Sequence, residues 1–391
     1  MIKLFNSLPF RLVLAMAIGI SGGLFANTAI MQVVITVQNL LSAVIMFTIP
    51  LIIIGFIAPS ITHLGGNASR MLGIALLLAY LSSVGASLFS VASGYAILPH
   101  LNIVSETGVR NTLPEMLFDL KIPPVMSVMS ALVFSVFIGL AAAWTRAEKI
   151  TAALNEFQGM VLLIVTRIII PILPFFIACT FCSLAYQGTI TSQLPVFVAV
   201  ILIVIVGHFI WMAFLYSLAA LYSRKNPFRV LRHYLPAYLT AIGTMSSAAT
   251  LPVALGCAKK SDALRRDMID FGVPLFANIH LCGSVLTETF FVMTVSLALY
   301  GSLPSLASLI LFSVLLGVFA IGAPGVPGGT VMASLGLIVS ILDFDAAGTA
   351  LMLTIFALQD SFGTACNVTS DGALTLIISE YSDRKAKKHK S

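Results

Sequence analysis

The chain carries Asp-Ser-Phe-Gly-Thr-Ala-Cys-Asn-Val-Thr-Ser-Asp at positions 360–371, inside an apolar stretch that spans residues 351–378. Four of these polar side chains are spaced by four, three and four residues, which predicts one shared helix face: Asp360, Thr364, Asn367 and Asp371. The stretch is long enough to cross a bilayer, where each carboxylate costs roughly 2.5–3.5 kcal/mol. Two carboxylates on one stripe therefore need a compensating partner, such as a bound cation or a ligand ammonium. We interpret this helix as the wall of a solute or ion site.

The composition is that of a membrane protein. Of the 391 residues, 59% are hydrophobic and only 9% are charged, far from the soluble average. Most acidic residues lie in connections, and the ones left within apolar segments are Glu288, Asp360 and Asp371. The first 27 residues form a short, basic, amphipathic segment that continues into the first predicted span, so a cleaved signal peptide is not expected.

The basic residues cluster beside apolar segments, at 224–232, 259–266 and 384–390. If both termini are cytoplasmic, 18 of the 21 Lys and Arg residues lie inside, and the exceptions are Arg110, Lys121 and Arg167. This is the positive-inside pattern of a multi-pass protein of the inner cell membrane. The net charge of +6 is thereby explained without a nucleic-acid partner.

Six apolar segments in the first part of the chain predict six membrane spans, at 9–28, 31–60, 69–96, 122–145, 155–186 and 193–223. Pro171 and Pro174 are expected to bend the fifth span. Two further full spans are predicted near the C-terminus. One covers 264–299 and is broken at 278–284, and the other is the polar-striped helix 344–381.

Two other apolar segments are interrupted by small residues and proline. Residues 227–259 break at 243–252 and have basic residues at both ends, which predicts a re-entrant hairpin that opens to the cytoplasm. Residues 302–341 break at 322–329 without flanking basic residues, which predicts a second hairpin that opens to the other side. The alternative is that both breaks are loops between ordinary helices.

Opposed broken helices are typical of transporters with inverted repeats, because they present N–H dipole ends and free carbonyls near the membrane midplane. The predicted fold class is thus all-α, with eight transmembrane helices plus two opposed re-entrant hairpins. An enzyme or an ATP-driven pump is not supported, since the sequence contains no phosphate-binding Gly-x4-Gly-Lys-Ser/Thr motif and no nucleophile–base pair. No cofactor is expected. Cys179 and Cys182 form a lone CxxC in a predicted span, without a metal-binding partner.

Four ordered motifs resemble the dicarboxylate/amino acid:cation symporters, the relatives of glutamate and aspartate transporters. They are Ser-Ser-Ala-Ala-Thr-Leu-Pro (246–252), Asn-Ile-His-Leu-Cys-Gly-Ser (278–284), Gly-Val-Pro-Gly-Gly (325–329) and Asp-x3-Thr-x2-Asn-Val-Thr-x-Asp (360–371). The resemblance implies a homotrimer in which each protomer has a static scaffold and a transport domain that moves through the membrane. Residues 1–226 would form mostly the scaffold and trimer contacts, together with part of the transport domain. The core of the transport domain would lie in 227–381, and a basic cytoplasmic tail in 382–391.

The resemblance also implies roles for individual residues. Asp360 would bind the α-ammonium of an amino acid, and Thr364 and Asn367 its other polar groups. The remaining substrate contacts would come from the two hairpin tips and the broken helix, at Ser246, Ser247, Val326, Gly328 and Ser284. Asp371 with Asn367 would form a Na+ site, and His280 is a further cation-binding candidate.

Two departures from the family concern the solute. The acidic-substrate members carry an arginine where this chain has Gly363, and some archaeal relatives carry one where it has Met245. A side-chain carboxylate would lack a guanidinium here, so a neutral amino acid is expected, and Gly363 is expected to leave room for a bulkier solute. The alternatives are uptake of a dicarboxylate or other organic anion, and a channel-like or sensor relative.

Other departures concern the coupling ions, which are expected to be Na+, H+ or both. Cys282 replaces a cation-binding aspartate of the family and Leu281 a methionine. Glu288 stands where animal glutamate transporters carry a protonatable glutamate, and with His280 eight residues earlier it is a proton-carrier candidate. The alternative is that both side chains are only structural. His208 is expected to be structural. Arg167 is expected to be paired in the scaffold or to reach the membrane surface, and the alternative is a role in an anion pathway.

Overall fold

The computed structural model describes residues 8–62, 70–101, 112–188, 190–323, 325 and 327–388. The predicted substrate contact Val326 lies outside these ranges, as does the end of the chain after Lys388. Within them, every long regular element is a helix. This agrees with the predicted all-α class.

The described residues before position 224 form seven α-helices. They are α1 (Leu8–Phe25), α2 (Thr28–Thr62), α3 (Arg70–Ile97), α4 (Val128–Thr145), α5 (Glu148–Ile164), α6 (Ile170–Tyr186) and α7 (Ile190–Ser223). A π-helical turn, Val165–Ile169, joins α5 to α6 into one continuous segment. This turn lies directly before Pro171, whose missing N–H weakens the regular helical ladder at that level. Each of the six predicted spans thus coincides with helix.

The fourth span begins later than predicted, at Val128 rather than at residue 122. The reason is local chemistry. Pro123 and Pro124 disfavour helix in the residues around them, and Ser127 caps α4 by accepting a hydrogen bond from the Ser130 N–H at 3.1 Å.

From position 228 onward, the part of the chain that the structure describes forms eight α-helices. They are α8 (Phe228–Leu231), α9 (Leu235–Thr244), α10 (Ser247–Ala258), α11 (Arg266–Ile279), α12 (Cys282–Tyr300), α13 (Leu306–Gly322), α14 (Gly329–Leu342) and α15 (Ala346–Lys388). Each predicted interruption is a helix break, between α9 and α10, between α11 and α12, and between α13 and α14. Helix α15 runs unbroken past residue 381, so most of the predicted tail is helical.

The breaks have identifiable backbone causes. Met245 adopts left-handed geometry with φ 52°, which ends α9, and Ser246 then caps α10 by accepting from the Ala249 N–H at 3.2 Å. Gly328 has φ 71° at the start of α14, a conformation that glycine adopts without strain. Helix α9 packs against α10, and α13 packs against α14. Each predicted hairpin is therefore a pair of neighbouring helices.

Among the described residues, five helical segments are long and apolar enough to cross a membrane. They are Thr28–Pro59, Met71–His100, Glu148–Tyr186, Val196–Ser223 and Arg266–Tyr300. The polar-striped helix α15 lies at the centre of the packing, in contact with α7, α9, α11 and α12. Helix α12 also packs against α3, so the first part of the chain contributes directly to the surroundings of the stripe.

Three basic clusters meet at one end of the molecule. Arg265 at the start of α11 pairs with Asp383 of α15 at 2.7 Å. Lys225, which follows α7, lies 3.6 Å from Glu380 and 3.7 Å from Asp383. Partly exposed pairs of this kind add little stability, but they place the first two clusters beside the C-terminal end of α15, which agrees with the positive-inside pattern.

We expect this end to be cytoplasmic and the exposed connection between α12 and α13 to face outward. Ser302→Cys, which lies in that connection, should react with an impermeant maleimide on intact cells. Ser391→Cys should react only after permeabilisation. The unmodified protein is the control, because four of its five cysteines are buried. Labelling of Ser391→Cys from outside would overturn the topology.

Candidate functional site

The carboxylate of Asp360 contacts the tip of the second hairpin. Its Oδ2 atom accepts a hydrogen bond from the Gly328 N–H at 2.7 Å. Asp360 and Thr364 are each only 4% exposed. A helix N-terminus stabilises an anion, and here the tip of the hairpin supplies that N-terminus through the left-handed residue before α14.

The two hairpin tips touch each other. The Ser246 hydroxyl donates to the Gly325 carbonyl at 2.5 Å, and Ser246 also caps its own helix. Ser247 follows directly and is buried. The structure thus brings the predicted substrate contacts Ser246 and Gly328 to neighbouring tips, with Asp360 bonded to one of them.

Asn367 links the polar stripe to the broken helix. Its Oδ1 atom accepts from the Gly283 N–H at 2.7 Å and from the Ser284 N–H at 3.2 Å, and its Nδ2 donates to the Ser284 hydroxyl at 2.9 Å. The first amides of a helix have no partner within the helix. Asn367 therefore acts as a side-chain cap for α12, supplied by a different helix.

His280 lies between α11 and α12, where its backbone is extended (φ −120°, ψ 103°). Its Nδ1 atom lies 2.8 Å from Asp371 Oδ1, and its Nε2 atom lies 2.8 Å from the Ser82 hydroxyl of α3. His280 is fully buried and Asp371 is 1% exposed. The buried imidazole thus joins the stripe on α15 to α3.

Glu288 is also fully buried, but it has a different partner. The Ser334 hydroxyl of α14 donates to its Oε1 atom, and its Oε2 atom has no hydrogen-bond partner among the described residues. The expected pairing with His280 relied on continuous helical spacing. The structure breaks the helix at 280–281, so the two side chains have separate partners.

His208 and Arg167, which were both expected outside the solute site, differ in burial and in partners. His208 of α7 is buried, and its Nε2 atom lies 3.0 Å from the Gly283 carbonyl and 2.9 Å from the Thr287 hydroxyl. It supports the broken helix. Arg167 lies in the π-helical turn with its side chain exposed, so the expected scaffold partner is not found within the described part of this chain.

The two residues of the expected Na+ site, Asn367 and Asp371, already have hydrogen-bond partners within the chain. Asn367 Oδ1 already accepts from two backbone amides, and Asp371 Oδ1 is bonded to His280. Within the described ranges, no group of three or more His, Cys, Asp or Glu side chains is placed to hold a metal ion. These side-chain oxygens are directed at groups of the chain itself.

Gly363 does not open toward empty space. A Cβ atom at this position would lie 3.3 Å from the Cα and N atoms of Ser284. The expectation of extra room for the solute is therefore wrong at this point, because the missing side chain allows α15 and α12 to approach closely. The same contact leaves little space for an arginine.

Sequence reasoning missed two of the site's partners, Ser82 and Ser334. Both are buried serines inside apolar helices, with no charge and no motif to mark them. Ser82 approaches His280 from a helix almost 200 residues earlier in the chain. Only the tertiary packing of α3 and α14 against α12 reveals these contacts.

Buried carboxylates bonded to broken helices, among helices of membrane-spanning length, define a membrane transporter. A model of the sodium:dicarboxylate symporter family matches residues 8–381. The chain belongs to this family. Its members are transporters, so the expectation that the chain is not an enzyme is confirmed.

Among curated proteins, the chain is similar to the neutral amino acid transporter B(0) of Bos taurus. The two are 26% identical over 265 residues, which cover 66% of this chain and 48% of the relative. The chain thus matches about half of that relative's length.

The close contact of α12 with α15 gives a stability prediction. A Cβ atom at Gly283 would lie 2.5 Å from both the Cys366 Cβ and the Gly363 carbonyl oxygen. Gly283→Ala should therefore destabilise the protein by about 1–3 kcal/mol through overpacking, measured by thermal unfolding in detergent. Gly243→Ala in α9 is the matched control, because nothing lies within 4 Å of its Cβ position. Equal midpoints for the two variants would contradict the packing argument.

Proposed function

We propose that the protein is a secondary active, cation-coupled symporter that takes up a small amino acid, more readily a neutral one than an acidic one. The family assignment supports symport. The observation that carries the solute class is Asp360, a buried carboxylate at the meeting point of α15 and the second hairpin. A buried carboxylate without a cationic side chain beside it is suited to an incoming ammonium group.

The preference for a neutral side chain rests on the absence of a guanidinium at two positions. Gly363 is packed against Ser284, and Met245 is a buried residue at the left-handed end of α9. A carboxylate side chain of the solute would then have no bidentate partner at either position. The similarity to a transporter named for neutral amino acids agrees with this proposal.

The remaining contacts with the solute are assigned to the stripe, the broken helix and the hairpin tips. Thr364 and Asn367 would hold polar groups of the solute, with Ser284 beside them. Ser246, Ser247, Val326 and Gly328 would enclose it, and the tip amides would face its α-carboxylate, since helix N-termini favour anions. In this proposal the hydrogen bond from Ser246 to Gly325 is one contact that opening must break.

We further propose that alternating access uses the elevator mechanism, in a homotrimer of the cell membrane with both termini cytoplasmic. Helices α9–α15 would form most of the moving unit, and five of them, α9, α10, α11, α12 and α14, pack directly against α15. The opposed hairpins would be re-entrant and would act as gates on the two sides. The surrounding lipid and a second and third copy of the chain are then its partners.

Asp360→Asn tests the solute site. The neutral amide should leave a bound ammonium unpaired, at a cost of about 3–5 kcal/mol, so amino-acid binding should fall at least 100-fold. A thermal-shift screen of purified protein against amino acids and dicarboxylates measures this, because ligands stabilise the folded state.

Asp343→Asn is the matched control. This exposed carboxylate precedes α15 and has φ 54°, a conformation that asparagine also tolerates. It should bind the solute as the wild type does. Unchanged affinity in Asp360→Asn would remove the amino-acid proposal and favour the organic-anion alternative. Flux without saturation or gradient-driven accumulation in vesicles would instead favour a channel.

The coupling ion is tested at Glu288. Its only described partner is the Ser334 hydroxyl, and its second oxygen is unpartnered, so it is the proposed proton carrier. Glu288→Gln should abolish accumulation driven by a pH gradient in proteoliposomes but preserve solute exchange. Ser334→Ala, which keeps the carboxyl group, should retain pH-driven accumulation. If Glu288→Gln still accumulates solute on a pH gradient alone, Glu288 is only structural.

A further inference from the structure

One buried carboxylate of the stripe already has a partner within the chain. Asp371 and His280 are both almost completely buried, and their hydrogen bond measures 2.8 Å. In its ionised form, the form that a cation would bind, Asp371 only accepts hydrogen bonds, and the ring nitrogen that faces it then carries the proton. The positive end of an N–H group, or a full imidazolium charge, therefore points at Asp371.

The imidazole is held in this orientation from its other side. Its Nε2 atom contacts the Ser82 hydroxyl at 2.8 Å, and the Phe276 ring packs edge-on against it, with centroids 6.2 Å apart. The extended backbone at His280 turns the side chain toward α15. A ring with partners on both nitrogens cannot rotate away without breaking two buried hydrogen bonds.

The geometry leaves no place for a free cation at the bonded oxygen of Asp371. A cation there would face a ring N–H of the same sign and would displace the imidazole from its partner. Asn367 Oδ1, the other assigned ligand, accepts from two amides. Cys282, which follows the break, is fully buried and adds a thiol rather than a second carboxylate.

We propose that the His280 imidazole is a tethered substitute for a coupling cation at Asp371, and that it excludes Na+ from this part of the site. The inference rests on the proposed function, in which Asp371 lies in a cation-coupled transport pathway. It makes His280 the residue that determines ion specificity at this position. Any Na+ dependence of transport must then arise elsewhere in the protein.

The test measures Na+ binding directly and needs no solute. The unfolding midpoint of the purified full-length protein is followed as choline chloride is exchanged for NaCl, because an ion that binds the folded state raises it. We expect NaCl to shift the unfolding midpoint of the wild type and of Asp371→Asn by the same amount, or not at all. A Na+ effect that is the same in both proteins arises away from Asp371 and agrees with the proposal.

His280→Asn should create the missing site. The Asn side-chain amide reaches about as far as Nδ1 of histidine, so it can still face Asp371, while the rest of the ring volume is vacated. We expect a saturable, Na+-specific rise in midpoint of about 2–4 °C. This gain should vanish in the double variant His280→Asn/Asp371→Asn.

His208→Asn is the matched control, because it also removes a buried imidazole that contacts the broken helix but does not touch Asp371. It should gain no Na+ effect. A folded His280→Asn without a Na+ gain would overturn the proposal, as would a wild-type Na+ effect that Asp371→Asn removes. If His280→Asn does not fold, the Na+ effects on the midpoints of the wild type and Asp371→Asn are compared instead. A Na+ effect that is present in the wild type and lost in Asp371→Asn would again overturn the proposal. None of these results depends on Asp360, so amino-acid binding stays a separate test of the proposed function.

Discussion

The structure depends on how two carboxylates are satisfied inside an apolar helix bundle. Asp360 and Asp371 lie three helical turns apart on α15, and water is not available at membrane depth to stabilise them. Each is bonded to a group made available by a broken helix. Asp360 accepts from the backbone amide of Gly328 at the hairpin tip, and Asp371 contacts the imidazole of His280 in the break before α12. The two carboxylates of α15 therefore obtain their hydrogen-bond partners from the helix breaks, and the groups freed by the breaks are bonded by the carboxylates.

These two solutions differ in a way that bears on function. A backbone N–H is a partial charge that compensates a carboxylate incompletely, so Asp360 keeps an attraction for an ammonium group. The imidazole of His280 is a stronger partner and is fixed by Ser82 on its far side. In the proposed function, the Asp360 end of the stripe binds the solute, whereas the proposed role of His280 closes the Asp371 end to a free cation.

Much of this arrangement could be predicted from the sequence, and the failures have physical causes. The spacing of the stripe located α15, and the runs of Gly, Pro and Ser located the breaks of the two hairpins, because they are local signals. The third break was also predicted, at 278–284, where polar and small residues interrupt the apolar span. The pairing of His280 with Glu288 failed because eight-residue spacing has meaning only along an unbroken helix, and the break lies between them. Ser82 and Ser334 could not be found, since serine in an apolar helix carries no periodic signal and its partner is set by tertiary packing. The sequence favours extra room for the solute at Gly363, yet this glycine is a close contact of α15 with Ser284, which only tertiary packing determines.

The polar contacts of α3 also decide which helices can move together. Ser82 bonds to His280, Ser87 lies 2.7 Å from the Thr289 hydroxyl, and Ser90 donates to the Leu286 carbonyl at 2.6 Å. In a membrane, separating such helices leaves buried polar groups without partners, since lipid offers none. If the transport unit moves as the elevator proposal requires, α3 must move with α11 and α12. The boundary between scaffold and transport unit then cannot follow the order of the sequence, because a helix from the first quarter of the chain is bound to the core of the last third.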